Sequence, residues 1–244
     1  MQNEQETKKN DFVELEFTGY ANGNIFDSNI PEDLKKLNAQ AKPEKLIVVV
    51  GQEMVVQGLD KALENKNLNE EYESSFSTKE GFGERHRNLL KTIPLAKFTE
   101  QKINPQPGMV LALDNQPVKI VAVSGARVTA DFNNPLAGKD IKYKFKILRK
   151  VTDKKEKAEV LMKFFFRFLP KYEIKEDKVF VKLPKGLESI IDYHKKKFTE
   201  LSGLHLVFEE LKAEDKKSAE KTEESEEEPP ATTQEPPTPS DSPA

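Results

Sequence analysis

Cysteine is absent from the 244-residue chain. Its absence excludes disulfides, thiolate nucleophiles and cysteine-based zinc sites. Histidine is scarce: His86, His194 and His205 are the only three. They fall in separate segments without ligand spacing, which favours surface or structural roles over acid–base or metal chemistry. No HExxH, Walker, GxSxG or GxGxxG pattern occurs, so no cofactor and no metal are expected. Apolar runs such as Leu46–Val50 and Phe164–Phe166 are core-sized and far short of the roughly 20 residues a membrane span needs. Met1 to Asn10 is polar and lacks the apolar stretch of a signal peptide. A cytoplasmic protein with no membrane partner is the expectation. A global basic excess is missing as well: 39 basic against 42 acidic residues leave a net charge of −3. Composition therefore makes no case for nucleic acid.

What is present suffices for a real core, since 36% of the residues are hydrophobic. The easiest boundary lies near residue 213. Residues 213–244 hold ten acidic and three basic residues and no Ile, Leu, Val, Phe, Tyr or Met. Such an acidic, proline-rich tail cannot bury enough surface to offset its ordering entropy, and disorder is expected there. The remainder, residues 1–212, is mildly basic, at +4. Residues 1–9 are expected as a flexible lead.

Val13, Leu15 and Phe17 alternate with Glu14, Glu16 and Thr18, the pattern of a half-buried strand. Asn22-Gly23 signals a hairpin into Ile25-Phe26-Asp27. Pro31 to Gln40 reads as a short helix opened by proline, and Leu46–Val50 as a buried strand. Gly58 to Asn65 reads as a helix with Leu59 and Leu63 on one face, and Tyr72 to Thr78 as a strand. Residues 86–135 are punctuated by Pro94, Pro105, Pro107, Pro117 and Pro135. Met109–Leu113, Val118–Val123 and Arg127–Phe132 read there as strands joined by Asp114-Asn115 and Ser124-Gly125 turns. Ile141, Tyr143, Phe145 and Ile147 then alternate strictly with Lys142, Lys144 and Lys146. A strand this late pairs with the N-terminal sheet if the proline-punctuated module is an insertion within one domain. Beyond Lys154, Val160, Leu161, Phe164, Phe165 and Phe168 keep helical spacing up to Pro170. A hairpin across Glu176-Asp177, an amphipathic helix from Leu187 to Leu201 and a strand over Leu204–Phe208 complete a second α+β region.

Single aromatics in these strands are ordinary core residues. Their ordered contexts say more: Glu16-Phe17-Thr18-Gly19, Ile25-Phe26-Asp27-Ser28, Val55-Val56-Gln57-Gly58-Leu59, Gly81-Phe82-Gly83 and Ile141-Lys142-Tyr143. In that order the chain resembles the FK506-binding family of peptidyl-prolyl isomerases. Asn133-Asn134-Pro135-Leu136-Ala137-Gly138-Lys139 is similar to the closing motif of that family's insert-in-flap chaperone module, and Arg87 to Pro94 to its opening. The C-terminal region is similar to that of the long archaeal type. The resemblance implies an α+β fold: an antiparallel sheet wrapped around a short helix, with an inserted small β domain and a C-terminal small α+β domain. The implied bounds are 10–87 with 135–152 for the isomerase domain, 88–134 for the insert and 153–212 for the C-terminal domain.

The resemblance also implies a catalytic pocket of Phe17, Phe26, Asp27, Val55, Val56, Leu59, Phe82 and Tyr143. Leu59 would form its floor, Phe26 and Tyr143 its walls, and Phe82 its cover. The Val56 N–H would bind a substrate carbonyl and Asp27 would stand beside the twisting amide. The family usually has Tyr at the positions of Phe17 and Phe82, and a His at that of Asn134. The implied activity is prolyl cis–trans isomerisation in protein folding, with unfolded-chain binding by the insert. The implied partners are unfolded or partly folded proline-containing polypeptides. A holdase with little or no isomerase activity is the alternative. A ribosome or RNA contact through Lys195-Lys196-Lys197 or Lys142, Lys144 and Lys146 is a third and weaker reading, because such runs are more often solvated faces.

Overall fold

A computed structural model describes residues 5–37, 42–113 and 116–211. The Asp114-Asn115 turn, the end of the helix expected to reach Gln40 and the acidic tail lie outside the described residues. The chain separates into two compact units, residues 1–164 and 165–244. The division falls inside a helix, beyond the expected start of the C-terminal domain at 153.

The first unit is organised by β1 (Phe12–Ala21) and β9 (Ile141–Lys150), which pair antiparallel along their length. Alternation puts Val13, Leu15 and Phe17 on the same face as Tyr143, Phe145 and Ile147, and α2 (Gln57–Ala62) packs Leu59 and its neighbour Leu63 against that face. The second edge of β1 serves two partners. Its first half pairs with β3 (Leu46–Val49) and its last residues with β2 (Asn24–Ser28). β4 (Glu71–Phe76) pairs with β9 and completes a five-stranded sheet. On the opposite face α1 (Pro31–Leu37) buries Leu34, and Lys142 and Lys144 both reach Glu73.

Two expectations change here. Residues 5–9 are pinned rather than flexible: Thr7 is fully buried, its hydroxyl donates to the Leu63 carbonyl at 2.6 Å, and its N–H donates to the Lys66 carbonyl. The helix expected through Asn65 stops at Ala62. Asn65 lies in the left-handed region at φ 54°, which ends helical bonding.

Between β4 and β9 the chain builds a separate four-stranded sheet in the order β5-β8-β7-β6. Its strands are β5 (Leu90–Pro94), β6 (Val110–Leu113), β7 (Gln116–Ser124) and β8 (Arg127–Asp131). α3 (Leu95–Glu100), which the sequence reading missed, buries Phe98 against Val118, Ile120, Val128 and Ala130. Its six residues are too few for a periodic signal. The junction with the first sheet is polar. Asn133 accepts from the His86 N–H and donates to the His86 carbonyl, and also donates to Asp131, which pairs with Arg85.

α4 (Lys154–Phe166) follows β9. It ends four residues before Pro170 rather than at it, because Arg167 adopts φ 67°, a left-handed helix stop. Phe168 consequently leaves the helix and is exposed. In the second unit β10 (Lys171–Lys175) and β11 (Lys178–Leu183) form a hairpin. α5 (Glu188–Ser202) then crosses over to β12 (His205–Glu210), which pairs parallel to β11. His194 on α5 stacks on Phe165 at 4.4 Å, and burial lowers its pKa. The fold is mixed α+β with several antiparallel pairings. No helix of the described residues is long and apolar enough to cross a membrane.

Candidate functional site

A cavity of about 710 Å³ opens between β1, β2, β3 and the N-terminus of α2. Leu59, the third residue of α2, lines it and is 2% exposed. Phe17 and Tyr143 meet side by side from β1 and β9, with ring centroids 5.9 Å apart. Val55 and Val56 line the approach to α2, and Phe82 and Asp27 complete the lining drawn from the expected set. Phe26 is the exception. It is not among the residues that line the cavity, but it packs against two that are, Tyr143 at 5.7 Å and Phe82 at 5.6 Å, each ring pair nearly perpendicular. Such edge-to-face contacts fix ring orientation.

Two glycines make room for these rings. A Cβ on Gly19 would come within 2.6 Å of the Phe26 ring, and one on Gly58 within 2.5 Å of the Phe76 ring. Phe76 in turn lies 6.3 Å from Tyr143. A glycine in a strand interior often marks close approach by another group, and Gly19 held that signal.

The loop over the cavity is held by polar bonds. Both oxygens of buried Asp60 accept backbone N–H groups, from Gly51 and Glu53, each at 2.9 Å. The Gly58 N–H donates to the Glu80 carbonyl at 2.8 Å and ties α2 to the segment bearing Phe82. Val56 is the N-cap of α2 without a side-chain cap bond, and its N–H has no partner among the described residues.

Ser28 and Asn29 were not anticipated from sequence. They fill the break where one edge of β1 passes from β3 to β2. Asn29 accepts from the Phe17 N–H at 2.8 Å and donates to the Leu15 carbonyl at 2.7 Å, while the Ser28 hydroxyl donates to the Phe17 carbonyl at 2.9 Å. Backbone groups left bare by the missing strand are thereby satisfied, and the Phe17 backbone is set rigidly at the cavity wall. Leu46 and Met54 add further apolar lining, and Lys42, Glu44, Lys45 and Glu53 add a charged rim.

Asp27 is the acid of the cavity. Burial raises its pKa, and the Ser28 N–H partly offsets that rise. Burial, and after it the Asp27 charge, pushes the Tyr143 phenol well above the usual tyrosine range. Tyr143 therefore stays protonated and can only be neutral. The cavity thus combines apolar and aromatic walls, the Asp27 carboxyl, one unengaged backbone N–H and no histidine. It offers shape, desolvation and a few hydrogen bonds rather than a nucleophile.

Comparison with known proteins agrees with this chemistry. The family model described as FKBP-type peptidyl-prolyl cis-trans isomerase matches residues 3–99, and the one described as FKBP26, IF domain, matches residues 91–136. A short-type peptidyl-prolyl cis-trans isomerase of Methanocaldococcus jannaschii is 31% identical over 144 residues, which cover 57% of this chain and 91% of the relative. The FKBP-type peptidyl-prolyl cis-trans isomerase SlyD of Helicobacter pylori is 28% identical over 141 residues, 56% of this chain and 69% of the relative. The SlyD of Aeromonas hydrophila is 27% identical over 106 residues, 43% of this chain and 50% of that protein. The chain belongs to the FKBP-type peptidyl-prolyl cis-trans isomerase family and carries that family's IF domain.

Proposed function

We propose that the chain catalyses cis–trans isomerisation of X–Pro bonds in unfolded or partly folded polypeptides, and that residues 88–134 hold such chains beside the pocket. The observation that carries the first part is the cavity itself, with its apolar walls beside the Asp27 carboxyl. The barrier to peptide rotation is about 18–20 kcal/mol and comes from amide resonance. The planar amide is the more polar state. A desolvated apolar pocket penalises it relative to the twisted one, and no covalent step is needed. On this reading Leu59 carries the proline ring, Tyr143 and Phe17 flank it, and Phe26 keeps Tyr143 and Phe82 in orientation. The Val56 N–H binds the carbonyl of the substrate and Asp27 faces the twisting amide.

The second part draws on the exposed apolar surface of the four-stranded sheet. Val110 and Val121 are 61% and 43% exposed and line one hollow on that sheet, which offers apolar surface to an unfolded chain. Tethering this face to the pocket raises the local concentration of prolines there. The test compares the full chain with a deletion of residues 88–134. The deletion is expected to keep turnover of a proline tetrapeptide and to slow proline-limited refolding of a protein. Equal loss on both substrates defeats the division of labour.

A holdase with little catalysis is the second reading. It is favoured by Phe17 and Phe82, which bring no hydroxyl to the cavity where the family commonly has one. A protease-free isomerisation assay on a series of proline tetrapeptides decides between them. Rates at the uncatalysed background leave only the holdase.

A further inference from the structure

A second cleft of about 410 Å³ adjoins the pocket, between β3 and α4. The two hollows are continuous in their lining: Glu44, Lys45, Leu46 and Met54 face both. On the far side the cleft is walled by α4, through Glu156, Val160 and Lys163 among others. Leu46, Ile47 and Met54 make its near side apolar. Val160 is only half-buried, so the apolar surface at its end of the cleft is not closed over.

The low ridge that the hollows share is fixed in place. Lys45 Nζ lies 2.7 Å from Glu156 Oε1 and 3.3 Å from Glu14 Oε2. Arg149 binds the same two carboxylates, Glu14 at 2.6 Å and Glu156 at 3.0 Å. Two cations and two carboxylates thus join α4 to β1, β9 and the pocket rim, and the Lys45 ammonium is neutralised where it stands. Beside these paired charges the cleft offers a ligand apolar surface from Leu46, Ile47, Met54 and Val160, together with Glu159 and Lys163.

The geometry points to this cleft as a specificity subsite for an apolar side chain of the substrate polypeptide, flanking the proline held in the first cavity. The proposal rests on the isomerase reading of that cavity. The occupant is the same chain that enters the pocket, because Leu46 and Met54 face both hollows and a chain that leaves the pocket across them meets the cleft next. α4 would then make an isomerase that accepts any short proline peptide selective among longer ones.

The experiment uses the full chain, a proline tetrapeptide, and single-proline octapeptides carrying Phe or Gly three residues before or after the proline. For one of the two placements, kcat/KM is expected to be about five- to ten-fold higher with Phe than with Gly, the size set by partial burial of one aromatic side chain. Val160→Lys is expected to bring that ratio close to one, and the volume-conserving Val160→Thr to reduce it. Both variants are expected to keep the tetrapeptide kcat/KM of the parent, which also reports that they fold. A Phe-to-Gly ratio near one at both placements overturns the proposal, as does a ratio that Val160→Lys and Val160→Thr leave intact. If the tetrapeptide is turned over only at background, the isomerase reading has failed by itself. Anisotropy of dye-labelled octapeptides then reads the same ratios as affinities, with the same criteria.

Discussion

The two sheets of the first unit bury apolar surface to opposite effect. Around α2, large rings from β1, β2, β4 and β9 pack at angles to one another and leave a hollow over Leu59. The four-stranded sheet closes its smaller core completely around Phe98, Val118, Ile120, Val128 and Ala130. Its surplus apolar residues face outward instead. Val121 sits at a register shift in the β7–β8 pairing, a bulge that re-aims a side chain. A hollow discriminates by shape, whereas an open apolar face accepts chains of many sequences. The difference therefore predicts where stability and recognition part company.

The largest effect is expected from Leu59. Leu59→Ala removes part of the lining of the hollow and is expected to cost about 2–5 kcal/mol, as fully buried leucines do. Val121→Ser on the open face is expected to change stability by no more than about 0.5 kcal/mol, yet to weaken the capture of an unfolded chain. Urea unfolding midpoints with the linear slope, beside a refolding-suppression assay, check the pair. Comparable destabilisation by both substitutions breaks the contrast.

The junction comes next. Asn133 is buried and bonds both to the His86 backbone and to Asp131. Although burial acts the other way, the Asn133 donors and Arg85 hold the Asp131 carboxyl below its ordinary pKa. Asn133→Ala strands several of these groups and is expected to cost about 1–3 kcal/mol. Amide hydrogen exchange is expected to speed up in β5 and β8 while the tetrapeptide rate holds. Loss of the tetrapeptide rate instead would show that pocket and insert are mechanically one body.

Much of this contrast was legible in the chain, and the illegible parts share a cause. Strict alternation exposed β1 and β9, and Leu59 with Leu63 marked the inward ridge of α2. The resemblance put Phe26 among the pocket walls, but a motif cannot say whether a ring lines a hollow or packs against rings that do. That depends on Gly19, whose missing side chain lets Phe26 lie close to the strand. Ser28 and Asn29 were invisible because their task arises only when β2 and β3 share one edge of β1. Thr7 looked like part of a polar lead, and its burial depends on a carbonyl 56 residues away. The Lys45–Glu156 pair spans a still greater stretch of chain. Local patterns report elements and faces. Polar bonds between distant segments, which set the rim and the junction, leave no local pattern.

A smaller effect sharpens the catalytic side of the comparison. Phe82 lines the hollow without a donor. Phe82→Tyr adds one hydroxyl, and a neutral hydrogen bond to substrate is worth about 0.5–1.5 kcal/mol. The tetrapeptide kcat/KM is expected to rise about two- to ten-fold, in keeping with that range. Capture of unfolded protein by the insert should not change. An unchanged rate would mean that Phe82 does not lie over bound substrate.

The smallest effect concerns Asp27, and it separates what the carboxyl does for catalysis from what it costs the fold. Burial raises its pKa in the native state, with the Ser28 N–H pulling the other way. A native carboxyl that holds its proton more tightly than the unfolded one favours folding in its protonated form. That contribution is complete below the unfolded carboxyl's pKa and is lost as the pH rises through the raised native value. Asp27→Asn carries no charge to desolvate. The variant is therefore expected to be more stable relative to the parent at neutral pH, with the gap closing on acidification through the usual aspartate range. Isomerase activity of the variant, which lacks the carboxyl, is expected to fall at neutral pH. Urea midpoints of parent and variant at about pH 7 and about pH 3 bracket that range. A gap that does not move with pH would mean the ionised carboxyl is not strained by burial. Asp27 would then belong with the solvated rim, and the hollow would be apolar surface alone, closer in kind to the open face of the insert.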